Sequence, residues 1–173
     1  MRKEIPPNAN SLIMSMRSLG YSLNNAVADI IDNSISAKAT KIDIICSWDN
    51  QEPFVEIKDN GIGMTSEELE EAMRLGSKNP LHERDKEDLG RFGLGLKTAS
   101  FSQAKKLIVK TKQNENTYAA IWDLDLIEKE NKWFMDIEKL DGKNAFKEKG
   151  TTIRWEKIDT LEKKDKTNAQ EYF

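Results

Sequence analysis

The most regular hydrophobic pattern in the chain lies between residues 22 and 37. Apolar side chains recur there at the 3.6-residue period of an α-helix and form a single stripe, composed of Leu23, Ala26, Val27, Ile30, Ile31 and Ile35. Ser22 or Asn24 is suited to cap the first turn, and the helix is predicted to end near Ala37. A stripe of this kind must pack against a sheet or another helix.

Shorter apolar runs predict the remaining elements. Helices are predicted at 12–16, from a cap at Thr65 or Ser66 to Gly76, and at about 93–103. Strands are predicted at 42–48, 53–58, 106–111, 117–126, 132–137 and 151–156. Turn-forming residues join the first two strands, so these two are expected to form an antiparallel hairpin.

Two segments lack the apolar periodicity that a buried element requires. Residues 77–88 carry a dense mixture of both charges, which predicts a mobile surface segment that can act as a lid. The chain after Ile158 is charged and poor in apolar residues, so it is predicted to be frayed or to begin a connection.

Composition narrows the possible functions. A chain of 173 residues suffices for one domain whose core needs no disulfides, and Cys46 lies in an apolar run where a small buried thiol is expected. The net charge of -3 shows no basic excess, so nucleic-acid binding is not indicated. No apolar run approaches the roughly 20 residues that span a bilayer, and the first residues lack a signal-peptide core. We therefore predict a cytoplasmic protein without a membrane anchor.

The first polar motif lies on the flank of the long helix. At about 100° per residue, Asn33 lies roughly a right angle from the centre of the apolar stripe, with Asp29 one turn earlier on the same side. Asp32 points away from the stripe. An amide oxygen suits Mg²⁺ that takes its other ligands from phosphates and water, and a neighbouring carboxylate can activate a water molecule. A solvated polar flank is the alternative interpretation.

The second motif, Asp59-Asn-Gly61-Ile-Gly63-Met64, follows the strand predicted at 53–58. Asp-Asn-Gly is a common turn, and a simple turn is the alternative interpretation. Two glycines also permit close approach of the backbone to a ligand, and methionine provides a polarizable apolar wall. The Asp59 carboxylate can accept a hydrogen bond from the exocyclic amine of adenine. The motif therefore predicts a pocket for a base.

The third motif, Gly90-Arg91-Phe92-Gly93-Leu94-Gly95-Leu96-Lys97, opens a predicted helix. Its spacing excludes a P-loop, because Leu96 separates Gly95 from Lys97, and it contains no G-x-G-x-x-G. Glycine N–H groups at a helix N-terminus still favour phosphate, with Lys97 as a counter-charge. A solvated lysine is the alternative interpretation of Lys97 alone.

In this order, the three motifs resemble the signature of the GHKL ATPases, which include gyrase B, HtpG-type chaperones, MutL and sensor histidine kinases. The resemblance extends over about 20–156 and is greatest to the MORC-like branch. It implies a Bergerat fold, a two-layer α/β sandwich with a mixed, mostly antiparallel sheet and helices on one face. We accordingly divide the chain into an arm at 1–20, an ATP-binding domain at 21–158 with a lid at about 76–92, and a charged tail at 159–173 that is predicted to lead to a further C-terminal region.

The resemblance also implies roles for individual residues. Asn33 is expected to hold Mg²⁺, Asp59 to read adenine, and Asp29 to activate the water that attacks the γ-phosphate. The other expected contacts of ATP are Gly61, Gly63 and Met64 at the base, Gly90, Arg91, Phe92, Gly93, Leu94, Gly95 and Lys97 at the phosphates, and Thr151 near adenine. The last of these rests on Gly150-Thr151, which is similar to the fourth motif of the family.

One position departs from the family pattern. GHKL ATPases usually carry glutamate where this chain has Asp29, and a displacement of about 1 Å at a reacting group costs on the order of a hundredfold in rate. We therefore predict Mg-ATP binding with slow hydrolysis or, alternatively, an ATP-dependent switch without hydrolysis. A histidine kinase is disfavoured, because the only histidine is His82 in the predicted lid. Expected partners are ATP or ADP, a second copy in an ATP-dependent homodimer formed through N-terminal segments, and attached C-terminal domains.

Overall fold

A computed structural model of the protein describes residue 3 and the ranges 7–18, 21–48, 52–76 and 95–159. Its α-helices are α1 (Ala9–Arg17), α2 (Leu23–Ser36), α3 (Ser66–Met73), α4 (Gly95–Gln103) and α5 (Leu124–Glu130). Its strands are β1 (Ile42–Ser47), β2 (Phe54–Asp59), β3 (Ala104–Lys112), β4 (Thr117–Asp123), β5 (Asp136–Leu140) and β6 (Gly150–Ile158). A short 3-10 helix, Gly142–Asn144, lies between β5 and β6.

The six strands form one sheet with the order β1-β2-β6-β3-β4-β5. The predicted α/β sandwich is confirmed, and β1 and β2 form the expected hairpin. Every pair of neighbouring strands is antiparallel in the described part of the chain, so the sheet contains none of the parallel pairing that a mixed sheet would have. The last strand, β6, lies at the centre between β2 and β3. This position brings the start of β6 next to the motif that follows β2.

The helices cover one face of the sheet and enclose the core with it. Alternate residues of the central strands point to this side, and the largest fully buried ones are Val55, Ile57, Leu107, Val109 and Trp155. Helix α2 contributes Ala26, Val27 and Ile30 to the core, as its apolar stripe predicted, whereas Ile35 in its last turn is 51% exposed. The stripe therefore packs inward along most of the helix and leaves its C-terminal end at the surface.

The opposite face of the sheet carries charged side chains. The Arg154 guanidinium lies 3.6 Å from the centre of the Phe54 ring and forms ion pairs with Glu56 (3.2 Å) and Glu156 (2.8 Å). Lys106 forms a further ion pair with Glu156 (3.0 Å). The apolar core therefore lies on the helical side of the sheet.

The two helices that border the second motif begin at predicted caps. The Ser22 hydroxyl accepts a hydrogen bond from the backbone N–H of Asn25 (3.2 Å), which caps α2. Thr65 caps α3 in a reciprocal arrangement with Glu68, in which each side chain accepts a hydrogen bond from the backbone N–H of the other residue. Such caps each stabilise a helix by roughly 1 kcal/mol.

Several predicted element boundaries are wrong. The strand predicted at 117–126 ends at Asp123, because the Asp123 side chain accepts a hydrogen bond from the N–H of Asp125 (3.1 Å) and caps α5, which the apolar pattern did not predict. The strand predicted at 132–137 is displaced to Asp136–Leu140, and α3 ends at Met73 rather than Gly76. The predicted lid, apart from Gly76, and the tail beyond residue 159 lie outside the described residues.

Candidate functional site

A buried carboxylate forms the centre of the candidate site. Asp59, the last residue of β2, is 7% exposed, and its oxygens accept hydrogen bonds from three separate segments. Oδ1 accepts from the backbone N–H groups of Gly61 (2.8 Å) and Thr151 (3.2 Å), and Oδ2 accepts from the hydroxyl of Ser34 (3.0 Å). An ionised carboxylate has about four acceptor positions, so one remains for a ligand that donates a hydrogen bond.

The strand register brings two threonines to the same place. Asp59 of β2 lies opposite Thr151 of β6, which in turn lies opposite Thr111 of β3. The buried Thr111 hydroxyl accepts a hydrogen bond from the N–H of Met64 (2.9 Å), donates to the carbonyl of Gly150 (3.2 Å) and lies 3.1 Å from the Thr151 hydroxyl. Thr111 thus connects the loop after β2 to the start of β6.

Sequence reasoning missed both Ser34 and Thr111. The sequence contains one indication of the role of Ser34, because this polar residue lies four positions after Ile30, in the middle of the apolar stripe of α2. The sequence contains no indication of the role of Thr111, because threonine is common in strands and its partners depend on the pairing of β3 with β6. Asn60 was also given no role, although its side-chain oxygen accepts hydrogen bonds from the N–H groups of Thr40 (2.8 Å) and Lys41 (2.9 Å) and ties the turn to the start of β1.

The two glycines of the second motif are packed against neighbouring backbone. A Cβ on Gly61 would lie 2.7 Å from the carbonyl oxygen of Ala37, at the end of α2. Gly63 has a φ of +69°, and a Cβ there would lie 2.0 Å from the carbonyl oxygen of Lys112. These glycines therefore let the loop after β2 contact α2 and β3 directly, which shapes the wall around Asp59.

We expect Gly63→Ala to destabilise the protein by at least about 3 kcal/mol, because the left-handed backbone alone costs an alanine roughly 1–2 kcal/mol and the new Cβ would overlap Lys112. Gly76→Ala is the matched control, since Gly76 also has a positive φ (+73°) but no described atom lies within 4 Å of its Cβ position. The measurement is chemical denaturation of both variants. Equal losses would show that the contact with Lys112 is unimportant.

The residues of the first motif lie on one flank of α2, as predicted. Asp29 and Asn33 are half-buried, whereas Asp32 is exposed on another side of the helix. The amide of Asn33 makes no side-chain hydrogen bond within the described part of the chain, so its oxygen is available to a ligand. Ser34, the next residue, points to Asp59 instead. Helix α2 therefore directs Ser34 toward the Asp59 carboxylate and carries Asp29 and Asn33 on its adjoining side.

Among the described residues, the Asp29 carboxylate has one hydrogen-bond partner. The Tyr21 hydroxyl, just before α2, donates a hydrogen bond of 2.6 Å to its Oδ2. This hydrogen bond, followed by burial and by the negative charge of Asp29, raises the pKa of the Tyr21 hydroxyl above its ordinary value. Tyr21 is consequently a protonated donor over the neutral pH range.

The described part of the third motif, residues 95–97, is exposed at its first residue and buried at its last. Gly95 begins α4 and is exposed, whereas Lys97 is 1% exposed and its ammonium donates to the carbonyl of Ala72 at 2.7 Å. Ala72 lies in the last turn of α3, where carbonyl groups lack helical partners and favour a cation. The contact of Lys97 with phosphate stays a prediction, and Gly90, Arg91, Phe92, Gly93 and Leu94 lie outside the described residues.

A separate cavity lies beside the C-terminal end of α3. It has a volume of about 350 Å³ and includes the side chains of two tryptophans. None of the predicted site residues that the structure describes lines it; the described lining residues are Pro7, Leu12, Glu70, Arg74, Leu75, Trp122, Trp133 and Met135. The candidate site is therefore distinct from this apolar cavity.

The donor set of the site limits the kind of metal that it can hold. Within the described ranges, no group of three or more His, Cys, Asp or Glu side chains is placed to bind a metal ion. The amide of Asn33 alone fits a cation such as Mg²⁺ that draws its other ligands from phosphates and water. None of the helices in these ranges is long and apolar enough to cross a membrane.

Comparison with known proteins gives matches over most of the chain. Residues 21–160 match the family of histidine kinase-, DNA gyrase B- and HSP90-like ATPases. The chain is 32% identical over 90 residues to the ATPase morc-1 of Caenorhabditis elegans, covering 52% of this chain and 10% of that protein. It is 33% identical over 92 residues to the DNA mismatch repair protein MutL of Rickettsia prowazekii (53% and 15%), and 33% identical over 106 residues to the chaperone protein HtpG of Helicobacter pylori (56% and 17%). The aligned segments thus span at most 17% of these relatives.

Proposed function

The chain belongs to the family of histidine kinase-, DNA gyrase B- and HSP90-like ATPases, and on this basis we propose that it binds Mg-ATP between α2 and the ends of β2 and β6 and hydrolyses it slowly. The observation that carries the proposal is the Asp59 carboxylate, which is buried, held by three donors and left with one acceptor position. Family membership supports ATP binding directly. The metal, the rate and the residues that act on ATP are parts of the proposal.

Base recognition is assigned to the buried side of the site. The remaining acceptor position of Asp59 receives a hydrogen bond from the exocyclic amine of adenine. A base that has a carbonyl group in place of this amine cannot donate such a hydrogen bond. Gly61, Gly63 and Met64 form the adjoining wall. The backbone N–H of Thr151 donates to Asp59, and the Thr151 hydroxyl, 3.1 Å from that of Thr111, is assigned to the adenine side. This arrangement favours ATP over GTP.

Phosphate binding is assigned to the flank of α2 and the start of α4. Asn33 supplies an amide oxygen to Mg²⁺, which when bound neutralises phosphate charge. Backbone N–H groups at the N-terminus of α4, beginning at Gly95, favour phosphate because they lack helical partners. Residues 90–94 and Lys97 are also proposed to contact the phosphates, and only the sequence motif supports this assignment.

Hydrolysis is assigned to Asp29. Its carboxylate lies one turn before Asn33 on the same flank of α2, so it adjoins the place where the γ-phosphate would lie. There it orients a water molecule and accepts its proton. The side chain is one methylene shorter than glutamate, and the reaction is therefore expected to be slow.

We expect Mg²⁺ to strengthen ATP binding at least about tenfold, and Asn33→Ala to remove that gain. The physical reason is that the amide oxygen of Asn33 would hold Mg²⁺, which would neutralise charge on the phosphates. Asn24→Ala is the control, because Asn24 is exposed in the first turn of the same helix. The measurement is isothermal titration with ATP in the presence and absence of a chelator.

Two outcomes would contradict parts of this prediction. Equal affinity of Asn33→Ala and wild type for Mg-ATP would remove Asn33 from the site. Absence of both binding heat and thermal stabilisation of the wild-type protein at millimolar Mg-ATP would overturn the proposed function as a whole.

The second candidate function is an ATP-dependent switch that does not hydrolyse. It is favoured by the short carboxylate of Asp29, and by the exposure on α1 of the apolar side chains Leu12 (37%) and Met14 (58%), which suit an N-terminal contact between two copies. Tight binding of Mg-ATP with ATP-dependent dimerisation but no phosphate release would decide for the switch. Sedimentation with and without ATP measures the dimer.

A further inference from the structure

The hydrogen bond between Tyr21 and Asp29 joins two residues that the sequence motif does not connect. Tyr21 precedes α2, and its hydroxyl lies 2.6 Å from Asp29 Oδ2. We propose that Tyr21 is a positioning residue, which holds the Asp29 carboxylate in the orientation that activates water. This inference rests on the proposed function, because it assigns Tyr21 a task in the same reaction.

Tyr21 is itself held from the core. Its carbonyl accepts a hydrogen bond from the side-chain amide of Gln103 (2.9 Å), which also donates to the Ser102 hydroxyl (2.9 Å). Gln103 is 2% exposed at the end of α4, so this anchor lies inside the packed helical layer. The next residue, Ser22, caps α2. The backbone of Tyr21 is thus fixed from two sides, and its hydroxyl approaches Asp29 from a defined direction.

The contact has a physical consequence for a short carboxylate. Tyr21 occupies one acceptor position on Oδ2 of Asp29, which leaves Oδ1 without this contact and able to accept a proton from water. A hydrogen bond from a neutral hydroxyl to a carboxylate is stronger than one between neutral groups, so it restricts rotation of the side chain. A catalytic group that is held in one orientation loses less rate to misalignment. Tyr21 therefore offsets part of the loss that the shorter side chain causes.

The raised pKa of the Tyr21 hydroxyl agrees with this role. The hydrogen bond to Asp29 is its largest cause, and burial and the charge of Asp29 act in the same direction. The hydroxyl therefore remains a donor rather than becoming a second negative charge beside the carboxylate. A purely structural role, in which Tyr21 only staples the segment before α2 to the helix, would use the same contact.

The experiment compares steady-state ATP hydrolysis and ATP affinity of Tyr21→Phe with wild type. We expect kcat to fall about tenfold, with KM and the Kd for ATP changed less than about twofold, because the lost hydrogen bond orients Asp29 without touching ATP. Tyr118→Phe is the control, since Tyr118 is also half-buried and its hydroxyl makes no hydrogen bond within the described residues. Its kcat should equal that of wild type.

A double variant separates positioning from stapling. If Tyr21 acts through Asp29, Tyr21→Phe causes no further loss of rate in the Asp29→Asn background. The hydrogen bond between Tyr21 and Asp29 can also be measured without ATP hydrolysis, by an ultraviolet titration of tyrosinate. Asp29→Asn should lower the pKa of Tyr21 toward its ordinary value. Tyr21→Phe identifies the Tyr21 signal in that titration.

The outcomes distinguish this inference from the proposed function. A wild-type kcat for Tyr21→Phe while Asp29→Asn is inactive would overturn the positioning role alone. Equal losses of ATP affinity and kcat in Tyr21→Phe, or full additivity with Asp29→Asn, would show a structural role and also overturn it. Wild-type hydrolysis by Asp29→Asn, or no hydrolysis by the wild-type protein, would overturn the catalytic assignment of Asp29 and the role of Tyr21 with it.

Discussion

Replacing Asp59 with asparagine is expected to weaken ATP binding by roughly a hundredfold or more, which corresponds to about 3 kcal/mol. The variant keeps an oxygen that can accept from the backbone N–H groups of Gly61 and Thr151, and its new amide N–H can donate to the Ser34 hydroxyl, which is free to rotate. The fold is therefore preserved. The acceptor for the adenine amine is replaced by a donor, so two donors would face each other.

The measurement is titration calorimetry with ATP and GTP, accompanied by thermal unfolding. Because a donor at position 59 can serve a carbonyl group, the preference for ATP over GTP should fall together with the affinity for ATP. Ser34→Ala is the matched control: it removes one partner of the carboxylate but leaves the acceptor for adenine, so ATP affinity should fall less than about tenfold.

Two results would contradict this prediction. Unchanged affinity of Asp59→Asn for ATP would show that Asp59 only closes the turn after β2. An unfolded Asp59→Asn protein would show that the buried carboxylate is needed for stability. In that case a folded Asp59→Glu variant, with its reduced preference for ATP over GTP, would be the test of adenine recognition by Asp59.

Replacing Asp29 with asparagine is expected to reduce phosphate release by about a hundredfold or more, because general-base catalysis contributes typically 10²–10⁴ to a rate. Asparagine has the shape of aspartate and can still accept the hydrogen bond from Tyr21, so the helix and the affinity for ATP should remain. The measurement is phosphate release under saturating Mg-ATP. An accompanying Asp29→Glu variant, with the longer side chain of the family, should retain hydrolysis.

Asp32→Asn is the control for this prediction, because Asp32 lies on the same helix with the same charge but is exposed away from the flank of Asp29. It should hydrolyse ATP like wild type. Equal rates for Asp29→Asn and wild type would remove Asp29 from the reaction. Equal losses in both aspartate variants would instead indicate a general effect of charge.

The helical part of the fold was predictable because its signals are local. The 3.6-residue stripe of α2 and the caps at Ser22 and Thr65 lie within a few residues of the elements that they define, and the structure confirms them. Helix α5 was missed because Leu124 and Ile127 extend the apolar run of β4, although Asp123 caps a helix at that point. Periodicity over so few residues does not separate a strand from one helical turn.

The candidate site was predictable only in part. Asp29, Asn33 and Asp59 could be selected because helix geometry and the position after a strand restrict where each side chain points. The partners of Asp59 could not, because Thr151 is 92 residues away in the chain and reaches it only through the pairing of β6 with β2. The burial of Lys97 against Ala72 likewise depends on how α4 packs beside α3.

The amino-acid sequence by itself therefore determined which chemical groups are candidates for a nucleotide site, because residue type and short-range spacing carry that information. It also determined the family, through the order of those groups along the chain. Only the tertiary structure decided how the groups are held: Asp59 by Ser34, Gly61 and Thr151, and Asp29 by Tyr21. The physical reason is that hydrogen bonds between distant segments form only after the strands have taken their register and the helices have packed on the sheet.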